Sequence, residues 1–187
     1  MATKKKIAVI VGSLRKGSYN RLAAKALMAL APADFDCEIV EIGQLPFYNE
    51  DTDGDAAPTS WRDFRAKVKA ADAVLFLTPE YNRSVPAALK NAIDVGSRPY
   101  GQSAWNGKPV AIMSVSPSAI GGFGANHHLR QSLVFLNMPA MQQPEAYVSG
   151  AAKLFDDKGN LASEANQKFF ASFMEAYAAW VRVHTAK

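Results

Sequence analysis

Three short stretches, residues 7–11 (IAVIV), 73–77 (AVLFL) and 109–115 (PVAIMSV), are apolar at all or nearly all positions. A strand with one face in water alternates apolar and polar residues. A strand covered on both faces need not, and continuous runs of this kind belong to parallel sheets roofed by helices on either side. Between and after them, apolar residues recur at helical spacing. These are Leu22, Ala26, Leu27 and Leu30, ended by Pro32; Trp61, Phe64 and Val68 within 61–71; and Val85, Leu89 and Ile93, closed by Gly96 and Pro99. Leu129, Leu133 and Leu136 mark a further helix, and Phe169, Phe173, Tyr177 and Trp180 a last one over 163–183. Ser84 reads as an N-cap with Pro86 in the first turn. The alternating run 37–42 (CEIVEI) predicts a strand near the sheet edge, and 139–141 a further one. Strands alternating with helices give a doubly wound α/β sheet with right-handed crossovers. Five parallel strands in a chain of 187 residues favour the order 2-1-3-4-5, with helices on both faces and one domain over 1–187.

Composition narrows the function classes. The net charge is +4, but the 21 lysines and arginines are dispersed apart from Lys4-Lys5-Lys6, and no aromatic and basic residues interleave along a platform. A nucleic-acid partner is therefore not expected, whereas a mildly positive surface suits an enzyme that draws in anionic ligands. The one cysteine, Cys37, excludes an internal disulfide and a thiolate metal cluster, and its place in a strand-like run predicts a small packed side chain. The lysines before residue 7 mimic the start of a secretion signal. The apolar run is shorter than an h-region, however, and Arg15 and Lys16 follow it. No stretch has the length and apolarity of a membrane span, so a cytoplasmic protein is expected.

Three polar loops follow the three apolar runs, at 12–20, 78–83 and 116–124. In the strand order above those runs are neighbours, and ligands in such sheets bind beyond the carboxyl ends at the topological switch point. The first loop, GSLRKGSYN, opens a helix, where unpaired backbone N–H groups and the helix dipole favour an anion. It lacks both G-x-G-x-x-G and G-x-x-x-x-G-K-[ST], which argues against a dinucleotide-first site and an NTPase. Its hydroxyls (Ser13, Ser18), its amide (Asn20) and Arg15 suit a phosphate monoester, with Arg15 adding charge-assisted hydrogen bonds.

The pair of motifs GSLRKGSYN and TPEYNRSVPAALKNAID, with GG…HLRQSLVFLN and QQPEA further on, resembles the NADPH-dependent FMN reductase family. The similarity is strongest to its bacterial quinone reductase branch, also called chromate reductases, and runs over most of residues 6–150. The resemblance implies a flavodoxin-like fold with bound FMN and NADPH or NADH as co-substrate. Ser13, Arg15, Ser18, Tyr19 and Asn20 then match the positions around the FMN phosphate. Pro79, Glu80, Tyr81 and Asn82 match the loop beside the isoalloxazine ring, and Ser116 a further flavin contact. The implied reaction is ping-pong two-electron reduction of quinones, with chromate, azo dyes and ferric complexes as adventitious acceptors. The flavin carries that chemistry, so no dedicated catalytic side chain is expected. The resemblance also implies a homodimer or homotetramer, for which the 45–48 and Trp105 loops are candidate contacts.

Two other readings stay open at this stage: a reductase that hands reduced FMN to a partner, and a flavodoxin-type electron carrier, against which the basic charge and Arg15 speak. A nucleotide-binding regulatory domain without flavin is a more distant third. His127 and His128 are adjacent on a helix and point in different directions, so no metal site is expected. Arg83 and Arg98 are candidates for the 2′-phosphate of NADPH.

Overall fold

The computed structural model, which describes residues 4–186, has its central strand β1 (Lys5–Val11) between β2 (Phe35–Ile39) and β3 (Ala73–Thr78). Next come β4 (Val110–Val115) and the edge strand β5 (Tyr147–Val148). All four pairings are parallel, so the order is the expected 2-1-3-4-5. The period-2 geometry of a strand sorts the apolar runs onto two faces. Val9, Val11, Leu75, Leu77, Ala111 and Met113 meet one layer, formed by α1 (Tyr19–Ala29) and α5 (Glu164–Thr185). Ala8, Ile10, Val74, Phe76, Val110 and Ile112 meet the other, formed by α2 (Thr59–Ala70), α3 (Ala87–Gly96) and α4 (Phe123–Phe135). Every residue of β3 and β4 is buried, as continuous apolar strands require.

Several expectations shift in detail. The fifth strand is not 139–141. Ala140 makes only an isolated bridge to Val110, and pairing resumes at Tyr147 and Val148 beside Ser114 and Val115. Pro144 lies between the two pieces and has no N–H to donate to a ladder, so the edge is broken there. The second strand begins at Phe35 and ends at Ile39, although Val40 still donates to the carbonyl of Val9. On α1 the buried stripe is Ala23, Ala24 and Leu27, while Leu30 is 42% exposed. On α5 Phe170, Phe173, Met174 and Tyr177 are buried, and Phe169 and Trp180 only half so. The N-cap of α3 is Pro86 and not Ser84, which belongs to the preceding turn.

Trp105 is fully buried, which removes it as an intersubunit contact. Its indole N–H donates to the carbonyl of Ile93 at 3.0 Å, and its ring lies against Gly96. A Cβ at position 96 would come within 2.5 Å of that ring, so the glycine serves close packing as well as the helix end.

Candidate functional site

The three polar loops do converge beyond the carboxyl ends of β1, β3 and β4. Gly12 draws the first two together. Its N–H donates to Leu77 O, and a Cβ there would lie 3.1 Å from Leu89 and 3.4 Å from Pro79.

In the first loop Ser13 and Ser18 are buried and Arg15, Lys16 and Gly17 are exposed. Ser18 is the N-cap of α1, its hydroxyl oxygen accepting from Arg21 N at 3.1 Å. The hydroxyl proton remains free to donate outward. Among the described residues, no backbone or side-chain oxygen accepts from the N–H groups of residues 13 to 20. A run of unpaired donors at a helix start is an anion cradle. Arg15 lies 5.9 Å from the centre of the Tyr19 ring, which holds the guanidinium beside that cradle. Asn20 reaches across to the end of β4, its amide N–H donating to Val115 O at 3.0 Å. That contact fixes the amide orientation, because a flip would set two carbonyl oxygens together. It leaves Asn20 Oδ1 buried and without a donor.

The second loop is a two-residue hairpin. Tyr81 and Ser84 exchange backbone hydrogen bonds, each 2.9 Å, around Asn82 (φ 50°) and Arg83 (φ 63°). Two successive positive φ values are those of a type I′ turn, and Arg is a costly residue there. Pro79 and Glu80 are partly buried, whereas Tyr81 is 50% exposed. The Glu80 side chain is only 7% exposed, so it is not the solvated group that a loop acid suggests.

The elements on either side of the third loop carry the residues that the sequence did not reveal. Ser114 is buried and donates its hydroxyl to Gly121 O at 2.7 Å, and Asn126 is fully buried beside it. Arg130 donates to Asn126 Oδ1 at 3.0 Å and to Met141 O at 3.0 Å. An asparagine one turn before Leu129, on the buried face of α4, was the available signal. Gly121 and Gly122 both have positive φ, and a Cβ at 121 would fall 2.4 Å from Tyr147 O. Ser116 is buried, its hydroxyl engaged with Ser118 Oγ at 3.0 Å and with Ser118 N at 3.2 Å.

His127 and His128 diverge as expected. His127 Nε2 meets the Tyr147 hydroxyl, and His128 Nδ1 meets Ser84 Oγ, each at 2.9 Å. Burial and the neighbouring Glu145 push the Tyr147 phenol up to about 12. No metal-binding group of His, Cys, Asp and Glu occurs among the described residues. Burial pushes the Cys37 thiol up to about 11, so it is not an activated nucleophile. Arg83 belongs to the loop cluster. Arg98 does not: it follows the far end of α3, about 15 Å of helix away.

Residues 5–153 match the model of a family described as NADPH-dependent FMN reductase. A quinone reductase of Pseudomonas putida is 62% identical over 180 residues, 96% of each chain. A 2-hydroxy-1,4-benzoquinone reductase of Burkholderia sp. is 49% identical over 95% of this chain and 96% of its own. Among solved structures, the flavoenzyme NAD(P)H:(acceptor) oxidoreductase FerB of Paracoccus denitrificans superposes with a TM-score of 0.90. It is 41% identical, and the match covers 96% of this chain and 98% of that one.

Proposed function

This chain belongs to the NADPH-dependent FMN reductase family and is an FMN-dependent NAD(P)H oxidoreductase, and we propose that its acceptors are quinones. The observation that carries the proposal is the cradle of unpaired N–H groups at 13–20, set in the switch-point crevice of a chain 62% identical to a quinone reductase. Chromate, azo dyes and ferric complexes are secondary acceptors in this reading. Bound FMN supplies two-electron redox chemistry, so the protein's work is binding, orientation and electrostatics.

The residues present suit that cofactor. The N–H groups of the first loop, the hydroxyls of Ser13 and Ser18, and Arg15 offer donors and positive charge, which is the requirement of a phosphate dianion. Asn20 offers a buried acceptor in the same loop, which calls for a donor on the cofactor and not a phosphate oxygen. Tyr19 backs Arg15. Pro79, Glu80, Tyr81 and Asn82 form one wall for the ring, and the loop from Ser116 to Gly122 the other. The Ser116 hydroxyl is already engaged, so this residue serves through the turn it stabilises. Arg83, in the loop cluster, and Arg98, beyond the far end of α3, are the candidates for a nucleotide phosphate in this reading. The whole chain, 1–187, acts as one FMN-binding domain in this reading, since α5 at its end packs with α1 under the same sheet.

Titrating apoprotein with FMN tests the site. Arg15→Ala should weaken binding by roughly 1.5–3 kcal/mol, the range for hydrogen bonds to a charged group. An unchanged affinity would remove Arg15 from the cradle. Steady-state oxidation of NADPH with a benzoquinone should give parallel ping-pong lines; no turnover with quinone, but turnover with free FMN, would favour a reductase that exports its flavin.

A further inference from the structure

The helix α4 begins badly by its own sequence. Its N-cap is Gly122, in a left-handed conformation with no side chain, and its first turn holds no acidic residue. A helix start needs an acceptor for its free N–H groups and gains from negative charge. Both come from another loop. Glu80 Oε2 accepts from the backbone N–H of Ala125, in that first turn, at 3.2 Å, and its other oxygen, Oε1, takes Arg83 Nη1 at 3.0 Å. The fit between the two loops is close. A Cβ at Gly124 would lie 2.6 Å from Arg83 O and 2.9 Å from Glu80 Oε2, so the hairpin backbone rests directly on the start of the helix.

We propose that Glu80 is a positioning residue, a cap supplied from the second loop to the helix that follows the third, clamping together the two walls of the cofactor site before FMN binds. The inference rests on the FMN reading given above. Each carboxylate oxygen has a protein partner and the side chain is only 7% exposed, so Glu80 acts by holding α4 and the hairpin in place and not as a flavin ligand. The same clamp accounts for Arg83 at a positive φ. A strained turn persists where its surroundings over-determine it, and here the side chain beyond the turn is tied back to Glu80 while Ser84 is tied to His128.

Amide hydrogen exchange on the apoprotein, FMN titration and the visible spectrum of the holoprotein together test the clamp, on Glu80→Ala and Glu80→Gln. Glu80→Ala should speed exchange at Ala125 and weaken FMN binding, each about tenfold, the usual effect of losing a cap. It should also shift the flavin absorption band. Glu80→Gln keeps an acceptor oxygen at the same reach and should recover most of the affinity and the spectrum. Normal exchange at Ala125 in Glu80→Ala overturns the proposal. So does a Glu80→Gln variant that binds FMN as poorly as Glu80→Ala while its Ala125 amide stays protected, because the carboxylate would then be acting on the ligand. A fall in thermal stability with unaltered FMN affinity and spectrum overturns it too. Should Glu80→Ala not fold, Gly124→Ala pries the same contact apart and must reproduce the exchange and affinity changes; leaving both unchanged overturns the clamp. Failure of the wild-type chain to take up FMN would instead sink the cofactor reading, with the Ala125 exchange still reporting on the cap.

Discussion

Tyr177 and Asn20 each bury a polar atom with no hydrogen-bond partner, Tyr177 Oη and Asn20 Oδ1, and their settings give these orphans opposite meanings. Tyr177 is fully buried under β1 and β2, its ring edge-on to Phe35 at 6.2 Å. Burial raises its phenol well above the ordinary range, and nothing there suggests a ligand. Its hydroxyl is a cost, since an unsatisfied buried group forfeits about 1–3 kcal/mol of solvation. Tyr177→Phe should therefore stabilise the fold by about 1 kcal/mol, raising the thermal midpoint by about 2–4 °C for a chain of this size. A lowered midpoint in circular dichroism would mean that the hydroxyl has a partner after all. Asn20 Oδ1 belongs instead to the 13–20 loop, where an unmatched acceptor calls for a donor on the ligand. At this scale the sequence was half legible. The residue types at 13–20 announced an anion site, because donors crowded at a helix start have few other uses. The capping role of Glu80 was hidden, because the helix it serves begins some forty residues later.

The elements owe their legibility to burial on both faces. The runs at 7–11, 73–77 and 109–115 became β1, β3 and β4 within two residues at either end because no other element tolerates such uniformity. The edge strands were harder to place: β5 is two residues long, Pro144 separates it from the isolated bridge at Ala140, and its pairing depends on backbone that no periodicity marks. The stretch from 44 to 60, with two prolines, a glycine and four acidic residues, has the composition of a surface loop, yet it is strapped down by Asn91 and Trp61 at 45–48 and by an ion pair at Asp53. Asp53 and Arg65 meet through two 2.8 Å hydrogen bonds with side chains 8% and 9% exposed, and Arg65 also donates to Val95 O. The Arg65 hydrogen bonds, aided by the Gly54 N–H and opposed by burial, hold the Asp53 carboxyl below the usual carboxylate range. A depressed folded-state value means that the stabilisation is fully present above the unfolded value, about pH 4, and is lost as pH falls through the lower folded one. Asp53→Asn leaves Arg65 buried without its counter-charge and should cost about 3 kcal/mol at neutral pH. The deficit relative to wild type should hold from pH 8 to about 5 and shrink below about 4. A deficit independent of pH down to 3 would show that packing, not charge, fastens the loop.

On the scale of the whole molecule, the two faces of the sheet are unequal in what they leave outside. On the side of α3 and α4 the surface carries Phe47, Tyr100, Val134 and Phe135, each between 78% and 86% exposed. Tyr48, Arg98 and Phe135 share one groove there, and Tyr100, Arg98 and Phe135 the next, so Tyr48, Phe135 and Tyr100 border one stretch of surface. Contiguous apolar surface of this kind marks an interaction site in a soluble protein. A second copy of the chain is the occupant we propose, since a two-fold axis would set the patch against itself. The 45–48 loop expected to take part does border the patch, and Trp105 does not. Phe135 ends α4, at the opposite end of the helix from the glycine loop, so a change there can separate subunits without touching the cradle. Phe135→Glu places a charge at the middle of the patch and is expected to convert a dimer or larger assembly to the 20.2 kDa monomer in sedimentation equilibrium at micromolar concentration. FMN affinity should fall only if the partner borders the pocket. A wild-type chain that already sediments as a monomer would leave the patch to a different partner and refute the two-fold assembly.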